Sequence, residues 1–197
     1  MRIGLIRHGK TDWNALGKIQ GQTDTPLNEE GIRQAGALAQ RLRRDDERWD
    51  AIVASDLSRA DETANIIAQT LGIPQLPGDP RLRERYFGEI EGTTEEERLT
   101  RWGADWRSQN RGQETDDVLR GRAMAFVEDL VAQGLDNRRI LVVTHGSLLA
   151  QLLKGLCAEL ADKLIDNVSL SIFEREPERW KPLLHNCTLH LDDLARA

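Results

Sequence analysis

Ile3-Gly4-Leu5-Ile6-Arg7-His8-Gly9 is a short apolar run that stops abruptly on a cation, an imidazole and a glycine. Two further runs have the same character, Ala51 to Ala54 and Ile140 to Thr144. None shows the alternation of polar and apolar residues that a half-exposed strand carries, so all three predict strands covered on both faces. Segments of helical period separate them. Ile32, Ala35, Leu38, Ala39 and Leu42 recur behind Asn28, a good N-cap. Ala60, Ala64, Ile67, Ala68 and Leu71 form a second apolar stripe, which Gly72 and Pro74 bring to an end. Leu119, Ala123, Phe126, Val127 and Leu130 predict a third helix ending near Gly134, and Leu148, Leu149, Leu152 and Leu153 a fourth starting just after His145-Gly146. Ser169 to Phe173 and Trp180 to Leu184, with a turn around Pro177, predict an antiparallel hairpin on the sheet edge. The alternation as a whole predicts an α/β fold, a three-layer αβα sandwich with a mostly parallel central sheet and a C-terminal antiparallel edge.

The chain has 197 residues, 39% of them hydrophobic, which suits one domain over residues 1–197 with a sizeable core. Residues 74–114 are rich in Gly, Glu, Arg and Trp and lack sustained periodicity, so they are expected to form a lid-like excursion over the sheet. A net charge of −6 argues against nucleic acid or an anionic membrane as partner. Two cysteines, Cys157 and Cys187, make neither a disulfide scaffold nor a metal motif and predict reduced thiols in a cytoplasmic protein. The N-terminal apolar stretch is shorter than that of a secretory leader, and no run is long enough to cross a bilayer. The edge hairpin and the tryptophans leave a homodimer open.

The functional signal lies in where the apolar runs end. The first runs into Arg7-His8-Gly9, the second into Ser55-Asp56-Leu57-Ser58-Arg59, and the third into Thr144-His145-Gly146-Ser147. In an open parallel sheet, ligands bind beyond the carboxyl ends of the strands, so the three ends are expected to meet at one crevice. A helix starting at Gly146 adds backbone N–H groups and the positive end of its dipole. Two arginines, two histidines and a helix N-terminus make an anion site.

The same residues carry a family likeness. Arg7-His8-Gly9-Lys10-Thr11-Asp12-Trp13-Asn14 resembles the opening signature of the histidine phosphatase superfamily, also called phosphoglycerate mutase-like. Residues 20–28, Ser55 to Ala60 with Thr63-Ala64, Leu82 to Gly92, Thr144-His145-Gly146 and Asn167-Val168-Ser169 resemble its later blocks, in order and over nearly the whole chain. The resemblance implies a phosphate pocket made by Arg7, Arg59, His8 and His145, with Asn14 and Gly146 also reaching the phosphate and Glu84 acting as proton donor. It implies neither a metal nor a cofactor. His8 must be neutral at one ring nitrogen to attack phosphorus, and the neighbouring cations favour that state. A bond from its other nitrogen to a carbonyl in the Gly9 turn is expected to fix the tautomer. The arginine forks suit the equatorial oxygens of a transferring phosphoryl group.

Other residues are set aside. His185, His190 and Cys187 fit no compact zinc spacing and are read as polar edge residues. Glu95-Glu96-Glu97 and the basic run Arg41 to Arg44 are read as solvated, and Trp102 and Trp106 as packing residues. Apart from the family block, Glu84 itself reads as a solvated charge between Arg83 and Arg85. Lys10 and Ser147 depart from the residues usual at their places, and Lys10 is expected to favour more anionic substrates by adding charge near the pocket. The function expected is metal-independent hydrolysis of a small phosphate monoester. A cofactor-dependent phosphoglycerate mutase is the nearest rival, with Arg98, Arg101, Arg107 and Arg111 as candidate carboxylate binders, and a non-catalytic phosphate-binding protein is a more distant one.

Overall fold

The computed structural model describes residues 1–133, 138–160 and 164–192. In chain order the strands are β1 (Arg2–Arg7), β2 (Ala51–Ala54), β3 (Arg139–Thr144), β4 (Leu170–Arg175) and β5 (Trp180–Cys187). The helices are α1 (Asp12–Ala15), α2 (Glu29–Arg44), α3 (Ser58–Leu71), α4 (Glu95–Trp102), α5 (Asp116–Ala132) and α6 (Gly146–Leu156). The sheet runs β2-β3-β1-β4-β5, with β1, β2 and β3 parallel and the last two strands antiparallel. This is the architecture that the sequence predicts.

Alternating side chains of the three parallel strands separate the interior into two cores. Ile3, Leu5, Val53, Ile140 and Val142 pack with α5 and α6 on one face. Ile6, Ile52, Ala54, Leu141 and Val143 pack with α2 and α3 on the other. Both faces are therefore dry, which is why these strands read as unbroken apolar runs.

The helix signals resolve largely as expected. The Asn28 side chain accepts the Gly31 N–H at 2.9 Å, and Gly72 ends α3 in the left-handed conformation at φ 68°. The expected stop near Gly134 falls outside the described residues. Ile32 is a correction, because it is exposed while Gly31, Ala35, Leu38, Ala39 and Leu42 form the inner face of α2. The cause is a glycine contact: α2 approaches so closely at Gly31 that its backbone meets that of Gly9 and Lys10, and this turns Ile32 outward. Arg41 is corrected too. Rather than pointing into water, it donates to Cys187 Sγ at 3.1 Å and lies 3.5 Å from Nδ1 of buried His190, whose basicity burial and the Arg41 charge lower to about 4.

The excursion holds more order than its composition suggests. Pro74 to Leu76 run beside β2, with Ile52 N–H donating to Pro74 O and Leu76 N–H to Ile52 O. Thr94 and Glu97 form a capping box on α4, so Glu97 is a cap and not simply a solvated charge. Glu95 accepts from Arg98, Arg107 and the Trp106 indole. Trp106 is buried between the guanidinium groups of Arg98 and Arg107, and Arg111 lies over Trp102, so both tryptophans pack the excursion. No helix among the described residues is long and apolar enough to cross a membrane.

Candidate active site

Strand register brings the two histidines together. Arg7 pairs with Thr144 across β1 and β3, so the next residues, His8 and His145, emerge side by side with ring centroids 5.1 Å apart. The His8 N–H donates to Thr144 O at 2.9 Å and extends the ladder by one residue. The antiparallel β4 begins at this same end. There Asn167 Nδ2 donates to His8 O at 2.9 Å, and the next residue, buried Val168, holds a φ of 56°. A β-branched residue in that region is strained, and the bond from its N–H to Arg7 O shows what holds it there.

His8 Nδ1 lies 2.7 Å from Gly9 O. A carbonyl oxygen can only accept, so Nδ1 carries the proton and Nε2 keeps the lone pair. Burial first, then the Arg59 and Arg7 charges, push His8 well below the ordinary imidazole range, against a smaller opposing effect of the Gly9 carbonyl. Burial also lowers His145, with help from Arg59, His8, Arg7 and Arg122. Both rings are therefore neutral at pH 7. Neither ring nitrogen of His145 has a hydrogen-bond partner among the described residues.

Both arginines are anchored through Nη groups and keep a buried Nε without a partner among the described residues. Arg59, fully buried at the start of α3, donates to Thr23 O and Gly21 O at 2.9 and 2.7 Å, while its Nε meets no acceptor. Burial lowers it to about 10, partly offset by Glu84, Asp24 and Glu91, and a guanidinium at that value is still charged at pH 7. Arg7 Nη1 donates to Ile165 O at 2.6 Å, and its Nε is likewise unpartnered. A Cβ on Gly146 would sit 3.4 Å from that Nε, so glycine lets the helix start close against the guanidinium. Asn14 turns its Oδ1 to Thr11 N–H as part of the capping box of α1.

Glu84 departs most from the reading of the residues alone. It is not a loose charge between two arginines, because Arg83 pairs with Asp56 and Arg85 with Asp116. Its carboxylate spans the start of α6, with Oε2 accepting Ser147 N–H at 3.0 Å and Oε1 accepting Leu148 N–H at 3.1 Å and Arg85 N–H at 2.7 Å. The N-cap residue of α6, His145, supplies no capping side chain, and Glu84 does so from a distant part of the chain. Two of the backbone donors expected to face a phosphate thus hold the acid instead.

Arg7, His8, Asn14, Arg59 and Glu84 line one cavity of about 170 Å³. His145 backs His8, and Gly146 lines an adjoining groove of about 300 Å³ that shares Arg7, Glu84 and Ser147. The sequence reading passed over Lys18, Ile19, Gln20, Gly21 and Phe87, which complete the cavity wall. Gln20 and Gly21 lie in the block from Gln20 onward and Phe87 in that from Leu82 to Gly92, so three of them carried a visible signal. The Glu91 carboxylate ties this wall together by accepting from the N–H groups of Gln22, Thr23 and Phe87. Lys10 is a correction: its ammonium pairs with Glu30 at 2.9 Å and does not line the cavity.

A family model for the histidine phosphatase superfamily (branch 1) matches residues 3–188. The chain belongs to the histidine phosphatase superfamily. It is 38% identical to a metal-independent phosphoserine phosphatase of Arabidopsis thaliana, over 90% of this chain and 78% of that one. Yersinia pestis GpmB, which carries a phosphoglycerate mutase name, is 37% identical over 91% of this chain and 87% of its own length. Among solved structures, a mycobacterial glucosyl-3-phosphoglycerate phosphatase complexed with VO3 superposes with a TM-score of 0.82 at 29% identity, over 94% of this chain and 99% of that one. The protein is an enzyme of the phosphatase type within this superfamily.

Proposed function

We propose that the chain hydrolyses the phosphate monoester of a small metabolite through a phosphohistidine at His8, without a metal. The observation that carries this reading is the His8 ring, buried, neutral and bonded through Nδ1 to Gly9 O, in a cavity where Arg7 and Arg59 each keep an unpartnered Nε. Nε2 attacks phosphorus as the ester P–O bond breaks, and Arg7, Arg59 and Asn14 hold the equatorial oxygens. Glu84 gives its proton to the departing alkoxide. Water then attacks the phosphohistidine and passes a proton to Glu84, and the P–N bond breaks to return the lone pair to Nε2. His145 and the Gly146 backbone close the phosphate end. Residues 74–114 act as the lid that carries the acid and selects the alcohol.

A cavity of about 170 Å³ suits a small substrate. The mutase reading loses its candidate carboxylate binders. Arg98, Arg107 and Arg111 are engaged within the excursion with Thr93, Glu95 and Glu89, and neither they nor Arg101 line the cavity. The test is phosphate release from an aryl phosphate with and without EDTA, followed by product analysis on 3-phosphoglycerate. The expected result is chelator-resistant release of inorganic phosphate from both. Loss of activity with EDTA would overturn the metal-free mechanism, and formation of the 2-phospho isomer would establish the mutase.

A further inference from the structure

We infer that Arg122, paired with Glu114, is a positioning residue for the acid Glu84, an inference that rests on the phosphatase reading above. Arg122 stands on α5, outside the cavity, and its guanidinium meets five oxygens with its five N–H groups. Nη1 donates to Arg81 O at 2.7 Å and Arg83 O at 2.6 Å, and Nη2 to Glu84 O at 2.9 Å. The remaining two donors, Nε and Nη2, take the Glu114 carboxylate at 2.8 and 2.9 Å. Thr144, the last residue of β3, donates its hydroxyl to Leu82 O at 2.7 Å. Carbonyls 81 to 84 are thus all held, three of them by one side chain.

The Arg122 guanidinium is saturated and mostly buried, and it divides its donors between three carbonyls of the run that ends at the acid and the Glu114 carboxylate. Glu114 closes the arrangement from the far side. Its own N–H donates to Tyr86 O at 2.8 Å, and its carbonyl accepts from Arg85 at 2.9 Å, so the residues after Glu84 are held as firmly as those before it. The carboxylate tip is set by α6 and its backbone by α5. On the phosphatase reading, moving either end by about 1 Å carries the acid out of reach of the leaving oxygen, and displacements of that size cost about 10²-fold in rate.

Lysine, with three donors and no fork, cannot reproduce this set. The consequence is selective. An acid matters most when the leaving alcohol is a poor one, whereas a nitrophenolate departs without help. The test measures kcat/KM, which reports events up to formation of the phosphohistidine, for glycerol 2-phosphate and p-nitrophenyl phosphate in the parent chain, Arg122→Lys, Glu114→Gln and Glu84→Gln. The ratio of the alkyl rate to the aryl rate is expected to fall at least about tenfold in Arg122→Lys and in the same direction, by less, in Glu114→Gln, with Glu84→Gln marking the full loss. Both rates come from one preparation, so partial unfolding lowers them together and leaves the ratio fixed. An unchanged ratio in both Arg122→Lys and Glu114→Gln would overturn the inference. Absence of hydrolysis in the parent is a separate outcome and would remove the phosphatase reading together with this inference.

Discussion

His8 and Glu84 face one cavity but are held by different physics. His8 stands one residue beyond a strand buried on both faces, and its place is fixed by the pairing of Arg7 with Thr144. Glu84 lies in a segment without regular structure between two 3₁₀ turns, and its place is fixed by side chains that grip backbone: Arg122 on the carbonyls before it, Glu114 on the residues after it, and α6 on its carboxylate. The nucleophile is placed by sheet register and the acid by individual hydrogen bonds. The first kind of construction tolerates change only by changing the fold. The second can be retuned one side chain at a time, which suits a surface that chooses substrates.

The sharpest way to break the comparison is to remove the nucleophile. His8→Ala is expected to lower kcat on the order of 10⁴- to 10⁶-fold for alkyl and aryl esters alike, read as phosphate release, because the ring nitrogen that takes the phosphoryl is gone for both. Comparable residual rates in the variant would move the chemistry elsewhere. Glu84→Gln should cost about 10²- to 10⁴-fold with alkyl esters and much less with aryl ones, a split that distinguishes the two sides within one molecule.

The difference also explains what the sequence disclosed. Ile3 to Ile6 and Ile140 to Val143 announce doubly covered strands because burial on both faces forbids polar residues, and whatever follows such strands must lie at the sheet's carboxyl end. Arg7, His8, Arg59 and His145 were legible for that reason. Arg122 was not. Its apolar neighbours Leu119, Ala123 and Phe126 mark the buried side of α5, and an arginine beside such a run reads as solvated. Nothing local says that it reaches Glu84, 38 residues back, because that bond is a tertiary one. Lys18 is illegible for the same reason, while Lys10 misleads because nearness in sequence to His8 is not nearness to the cavity.

Acidification tests the strand-end side. His8 and His145 titrate well below 6.5 when folded and near 6.5 when unfolded. Below pH 6.5 the unfolded chain therefore binds protons that the native state refuses, and stability falls as pH drops. The slope is about 1.4 kcal/mol per histidine per pH unit until the folded rings titrate. Urea midpoints at pH 7 and pH 5.5 should show the loss, and a His8→Ala/His145→Ala double variant should be distinctly less sensitive over that interval. The smallest effect belongs to Lys10→Glu. With its ammonium on Glu30 and away from the cavity, the exchange should leave the ranking of a substrate panel as it is in the parent.

The carboxylate that caps α6 ties the acid to the integrity of the scaffold. Catalytic polar groups are usually a burden on the folded state, and losing them tends to firm a protein up. Glu84 runs the other way, since the amides of Ser147 and Leu148 that steady the acid are also the ones the helix needs covered. A lineage drifting toward mere phosphate binding could not discard this residue as dead weight. It would first have to find another cap for the helix behind His145, so decay of the chemistry is opposed by the architecture itself.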